Sequence, residues 1–438
     1  MSRYSGSERH MSRARELITR GVGSAMREAM RPTPLVIESA SGSTLTDVDG
    51  NDYIDYICGF GPILLGHRPP EVIDAVSRQL ERGVLFGAQH PGELELAERI
   101  VQLVPSAEMV ALSNTGSEAI HAALRFARVA TGKELVVKFE GQYHGWLDPV
   151  FASGPGIEPL DGSDAPTHTV PGLPAPRDVL VTRWNDAEAL GALLAARSGE
   201  VAAVIMEPVA CNFGNYEPLP GYLDEVRRLC DQHDVVLVFD EVITGFRLGL
   251  GGAQARYGVT PDLTILAKAI ASGFPISAVA GRHEVMSVAH GEGPVRHIGT
   301  YNGNAVSVAA ANATLALLEA GGAGLYSEMD STASRLANGL NGVGAEVGAP
   351  LIANQVASVV HLLWGARTPV RTYADAYESS RAAVADFASH LLGQGIAATE
   401  RGLWFVTASH TDDQVDRTIA AARGAAADVA EAFAAPER

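Results

Sequence analysis

The chain has 438 residues, enough for about three average domains of roughly 150, and α/β enzymes often spend such a length on one large domain and one small one. Hydrophobic residues make up 47% and charged residues 19%, which excludes general disorder, and 51 acidic against 33 basic side chains give a net charge of −18, which excludes nucleic acid as a partner by repulsion. Three cysteines without CxxC spacing exclude a disulfide framework or zinc finger; with no apolar leader in Met1 to Arg20 and no run approaching about 18 apolar residues, a cytoplasmic protein without membrane or metal partners is expected.

Pro34 to Ser39, Ser43 to Val48 and Tyr53 to Ile57 read as short strands, and Asp49-Gly50 supplies the positive φ of a tight hairpin. After Pro69-Pro70, the spacing of Val72, Ile73, Val76 and Leu80 predicts a helix that Gly83 ends. Short apolar runs then alternate with helical stretches: Met109 to Leu112, Leu135 to Phe139, Val179 to Thr182, Val201 to Met206, Val235 to Phe239, Leu263 to Ala267 and Ile276 to Ala280. Continuous hydrophobicity marks strands buried on both faces, so the fold class is α/β with a mostly parallel sheet flanked by helices.

Ser153 to Asp178 is crowded with Pro and Gly and predicts a long irregular loop, either a functional flap or an insert. Beyond Gly321 a second alternation predicts a strand at Ser358 to Trp364, a helix at Arg381 to Leu392, a strand at Leu403 to Thr407 and a last helix capped by Thr411 and Gln414. The expected division is 1–68 for an N-terminal segment with a small β unit, 69–320 for a large α/β domain and 321–438 for a small C-terminal α/β domain.

In parallel sheets ligands bind beyond the carboxyl ends of the strands, so polar residues there are site candidates. The run ending in Asp240-Glu241 resembles the magnesium-binding strand of an NTPase, but the chain lacks the GxxxxGK[ST] cradle that this chemistry requires. Gly249-Leu250-Gly251 does not follow a strand, so a dinucleotide fingerprint is absent as well. What remains is Lys268, at the end of Leu263 to Ala267, where an amine is costly unless desolvated for a purpose or covalently engaged. Ser113-Asn114-Thr115-Gly116-Ser117 opens a helix and suits a phosphate, its plain alternative being an N-cap. A strand-end lysine, a strand-end acid and an anion cup together describe a site for pyridoxal phosphate.

In this light the sequence resembles the class III, fold type I pyridoxal-phosphate aminotransferases, and among them the glutamate semialdehyde aminomutases. The resemblance rests on Gly21-Val22-Gly23-Ser24, Thr46-Asp47-Val48-Asp49-Gly50, Glu140-Gly141-Gln142-Tyr143-His144-Gly145, Glu207-Pro208-Val209-Ala210-Cys211-Asn212, Phe239-Asp240-Glu241-Val242 and Gly299-Thr300-Tyr301-Asn302-Gly303-Asn304. It implies Lys268 as the Schiff-base lysine and Asp240 as the partner of the pyridine nitrogen. Tyr143 and Val242 are implied on the two faces of the ring, Asn212 at its hydroxyl, and Thr115, Gly116 and Ser117 at the phosphate. Thr300 matches a residue that reaches the phosphate of the neighbouring subunit, which implies a homodimer with shared active sites. Arg27 matches an arginine that holds the substrate carboxylate, its alternative being an exposed arginine; Ser24 and Phe60 fall on the same substrate side. His144 reads as structural, as do His67 and His90.

The likeness departs where the aminomutases carry an acidic gate residue, since that position falls on Gly402 in a segment about two residues shorter; Glu400 lies nearby. Phe60 replaces a tryptophan, and Cys211 stands where a glycine is usual. Because these changes sit on the substrate side, the expectation is an aminotransferase using small-molecule amino donors and carbonyl acceptors, with glutamate semialdehyde 2,1-aminomutase as the alternative.

Overall fold

Seven strands form the main sheet of the computed structural model, which describes residues 2–160, 172 and 177–434; the expected loop at Ser153 to Asp178 thus lies partly outside the described residues. In order across the sheet they are Met109–Ser113, Ser277–Gly281, Leu263–Leu266, Val236–Asp240, Val201–Met206, Leu135–Phe139 and Val179–Thr182. All six residues of Val201–Met206 and all five of Val236–Asp240 are buried, as continuous apolar runs require when helices cover both faces. Ser277–Gly281 runs antiparallel to both neighbours, and the four remaining adjacent pairs are parallel.

This sheet belongs to a unit made of Pro70–Tyr326 and Pro369–Tyr377. Helix Pro70–Arg82 buries Val72 and Val76, but Ile73 and Leu80 are 38% and 53% exposed, so half of the expected apolar stripe faces outward. Helix Gly116–Thr131 starts from a capping box: Thr115 Oγ1 accepts the Glu118 N–H at 3.2 Å, and Glu118 Oε2 accepts the Thr115 N–H at 2.7 Å. Gly132, at φ +68°, ends it.

The second unit comprises Met1–Pro69, Ser327–Thr368 and Glu378–Arg438, so the first 68 residues cluster with the C-terminal domain. The N-terminal strands Ile37–Ser41, Thr44–Asp47 and Asp52–Asp55 continue into a fourth, Ile396–Ala397, which pairs parallel to Asp52–Asp55. A hairpin of Leu351–Val356 and Val359–Trp364, joined by Leu403–Phe405, makes a three-stranded antiparallel sheet. Tyr56 stacks on Trp404 at 5.3 Å between ring centres, and Phe387, Leu340 and Leu391 complete the core. The last helix, Asp412–Ala434, begins with the expected cap, in which Thr411 Oγ1 accepts the Gln414 N–H at 3.3 Å.

Candidate active site

Asp240 and Lys268 leave the sheet from neighbouring strands. Asp240 is in register with Ile265, and Lys268 follows three residues later at the head of a short 3₁₀ turn, Lys268–Ala271. The lysine has a φ of +45°, in the left-handed region that a residue with a Cβ seldom occupies. Such a conformation costs on the order of 1–3 kcal/mol and persists only where the surrounding structure imposes it.

Asp240 does not stand alone. His144 Nδ1 lies 2.7 Å from Asp240 Oδ2, and both side chains are almost wholly buried. Burial holds the His144 pKa below its ordinary value, against the pull of the Asp240 hydrogen bond and charge. A carboxylate oxygen accepts, so the imidazole can donate to it from Nδ1. Nε2 on the other side of the ring is buried with no hydrogen-bond partner among the described residues. The histidine read as structural is therefore the immediate partner of the site's acid. The second Asp240 oxygen accepts the Val242 N–H at 3.0 Å, which fixes the carboxylate against the next residue but one.

Glu207, quoted in the motifs but given no role, organises the opposite wall. Its Oε1 accepts the Tyr143 N–H and the Asn212 side-chain amide, each at 2.9 Å, and its Oε2 accepts the N–H groups of Cys211 and Asn212 at 3.1 and 3.2 Å. Gln142 binds the Glu207 backbone in both directions, so the loops carrying Tyr143 and Asn212 are tied through one carboxylate. Burial, aided by the charge of Asp240, raises the Glu207 pKa to about 7 despite these donors. Beneath the loop, Lys138 is fully buried and donates to the carbonyls of Gln142, Val150 and Ala152 at 3.0, 3.0 and 2.6 Å. A lysine inside the run Leu135 to Phe139 was a visible signal that a polar network lies below.

Cys211 reports how closely the charged groups gather. Burial first, and then the Glu207 charge, push its thiol well above the ordinary range, while the positive charges of Lys268 and Arg247 oppose the shift.

The expected anion cup is the head of helix Gly116–Thr131. Thr115 fills the N-cap role, so the N–H groups of Gly116 and Ser117, which lack a preceding helical carbonyl, are the ones left for a ligand. Ser117 Oγ accepts the Trp146 N–H at 2.9 Å. Backbone approaches here are close: a Cβ on Gly116 would lie 3.2 Å from Val242 Cγ2, and one on Gly145, whose φ is +86°, would lie 2.5 Å from Ser117 Oγ. Thr300 is exposed, on a stretch where Ile298 and Tyr301 are 83% and 61% exposed.

The residues expected on the substrate side fall in the other unit. Arg27, Phe60, Glu400, His67 and Asp55 line one cavity of about 600 Å³, with Met26, Met30, Ile57 and Leu45 among its apolar walls. Ser24 precedes the turn Ala25–Arg27, and its carbonyl accepts the Arg27 N–H at 2.9 Å; its side chain is not part of the lining. Burial raises the Glu400 pKa. Gly402 has a φ of +83°, and a Cβ there would lie 2.3 Å from the Leu362 carbonyl oxygen, so no side chain fits at that position.

An amine raised on a strained turn, a buried acid held by a buried histidine and a helix N-terminus with free N–H groups meet the needs of one cofactor, which bonds to an amine, keeps its ring nitrogen protonated and carries a phosphate. The fold and site define a pyridoxal-phosphate-dependent enzyme of fold type I. A family model described as Aminotransferase class-III matches residues 25–350. A glutamate-1-semialdehyde 2,1-aminomutase from Desulforamulus reducens is 40% identical over 428 residues, covering 96% of this chain and 97% of that protein. Among solved structures, a transaminase with PLP bound superposes with a TM-score of 0.88 at 28% identity, covering 99% of each chain. A glutamate-1-semialdehyde aminomutase from Pseudomonas aeruginosa PAO1 superposes with a TM-score of 0.87 at 25% identity, covering 97% of this chain and 95% of its own. The chain belongs to the class III aminotransferases, and its cofactor is pyridoxal 5′-phosphate.

Proposed function

We propose that the protein is an aminotransferase that moves an amino group from a carboxylate-bearing donor to a carbonyl acceptor. The observation that supports this over an intramolecular exchange is Gly402, whose backbone is pressed so near the Leu362 carbonyl that the acid expected of an aminomutase cannot be built there.

When bound, pyridoxal 5′-phosphate supplies an aldehyde and an electron-accepting ring. Lys268 would hold the cofactor through its amine, and the same amine is placed to move a proton at the substrate Cα. Asp240 would pair with the ring nitrogen, and His144, with Nδ1 2.7 Å from Asp240 Oδ2, would orient that carboxylate. Tyr143 and Val242 would flank the ring, Asn212 would offer its amide to the ring hydroxyl, and Gly116 and Ser117 with Thr115 would bind the phosphate. Thr300 of each protomer serves its neighbour's phosphate, so the working form is a homodimer. Arg27 takes the donor's carboxylate with its forked guanidinium.

A second reading, glutamate semialdehyde 2,1-aminomutase, is favoured by the 40% identity to an aminomutase over 96% of the chain and by the Glu400 carboxyl in the Arg27 cavity. The two readings separate on product analysis of the purified holoenzyme. Release of keto acid in equal amount to the amine transferred supports the aminotransferase; amino-group exchange within one molecule without free keto acid supports the aminomutase.

A further inference from the structure

The segment Pro369–Tyr377 carried no signal in the sequence, yet the chain leaves one unit after Thr368, joins the sheet-bearing unit for these residues and returns at Glu378. It is a built element. Asp375 Oδ2 accepts the N–H groups of Arg371 and Thr372 at 3.1 and 3.0 Å, closing the turn that starts helix Tyr373–Tyr377, and Asn185 Nδ2 donates to the Arg371 carbonyl at 2.8 Å.

Tyr373 is its buried tip, at 2% exposure. One side of its ring lies so close to Gly141 that a Cβ there would stand 2.1 Å from Tyr373 Cδ2. Against it also packs Phe213, with ring centres 5.0 Å apart and planes inclined by 58°. The hydroxyl donates to the carbonyl of Ile157 and stands 3.5 Å from that of Gly154. One turn on, Ala376 meets Gly214, where a Cβ would lie 2.9 Å from the alanine methyl. Gly141 stands two and three residues before Tyr143 and His144, and Phe213 directly follows Asn212. A single ring therefore touches both loops that carry Tyr143, His144 and Asn212.

We propose that Tyr373 is a positioning residue for the cofactor site, a wedge that sets the spacing of the Gly141–His144 and Asn212–Gly214 loops. Glu207 draws these loops together by hydrogen bonds; Tyr373 limits how closely and at what angle they approach, which fixes where the Tyr143 ring, the His144 ring and the Asn212 amide stand. Gly141 is the residue that permits this contact, since its φ of +73° and missing side chain leave room for the tyrosine ring. The proposal rests on the assignment of those three residues to the pyridoxal phosphate site.

The test is titration of the apoprotein with pyridoxal 5′-phosphate, read by visible circular dichroism and absorbance, for wild type, Tyr373→Phe, Tyr373→Leu and Phe213→Leu. Tyr373→Phe keeps the wedge and should bind within about threefold of wild type with the same dichroic band. Tyr373→Leu and Phe213→Leu should weaken cofactor binding about tenfold or more and alter the sign or intensity of the band. If both leucine variants bind with wild-type affinity and an unchanged band, the wedge is overturned. Should Tyr373→Leu not fold, Phe213→Leu alone decides, in the same two directions. A wild-type protein that develops no visible band overturns the cofactor reading itself, a result distinct from a band that the variants fail to change.

Discussion

His144 Nδ1 and Asp240 Oδ2 lie 2.7 Å apart with both side chains out of water. Replacing His144 with Ala removes the donor and leaves the aspartate's charge without it. A lost hydrogen bond to a charged group is worth roughly 1.5–3 kcal/mol, or about 10- to 100-fold in rate. The expected result is a fall in kcat of that order with KM for the donor little changed, read by steady-state kinetics. A variant with wild-type kcat would show that the pair is structural alone.

Glu207 links pH to stability. Its pKa is raised in the fold from an ordinary 4.5 to about 7, chiefly by burial, so the folded protein binds a proton in that interval more tightly than the unfolded chain does. Its contribution to stability is therefore complete below about pH 4.5 and is lost as the pH rises through about 7. In urea unfolding, the gap in stability between wild type and Glu207→Gln should narrow from pH 5 to pH 7.5. A gap that widens over this range would contradict the assignment.

Gly402 leads to a substitution that should fail. Glu there would restore the aminomutases' acid on paper, but the Cβ meets the Leu362 carbonyl oxygen at 2.3 Å and the backbone is left-handed. Gly402→Glu is expected to lose about 1–3 kcal/mol of stability and to gain no intramolecular exchange. A stable Gly402→Glu protein with mutase activity would remove the chief support for the aminotransferase reading.

Gly145 tests the anion cup without replacing its donors. A methyl at this position, where φ is +86°, would sit 2.5 Å from Ser117 Oγ and 3.0 Å from Ser117 Cα. Gly145→Ala should push Ser117 outward and weaken pyridoxal 5′-phosphate binding about tenfold or more, measured by titration of the apoprotein. Unchanged affinity would place the phosphate elsewhere.

The central sheet was legible because burial on both faces leaves an unbroken apolar run, and Val179–Thr182, Leu135–Phe139 and Val201–Met206 fall where those runs lie. Direction was not legible: Ser277–Gly281 is antiparallel to its neighbours, yet its residue types match those of a parallel strand. The polar helix Ser5–Leu17 escaped because its few buried residues, Ser7, Met11 and Ala14, make a stripe too sparse to read. The places of Asp240 and Lys268 at strand ends could be read from the sequence. His144, Glu207 and Tyr373 could not, since each acts through a partner distant in the chain: His144 through Asp240, Glu207 through Tyr143 and Tyr373 through Gly141 and Phe213.

The most direct measurement is borohydride reduction of the holoenzyme followed by peptide mapping of the fixed cofactor. The label is expected on Lys268, the amine that follows strand Leu263–Leu266, and Lys268→Ala should take up no label and show no turnover. A label on any other side chain, or turnover at the wild-type rate in Lys268→Ala, would contradict the account.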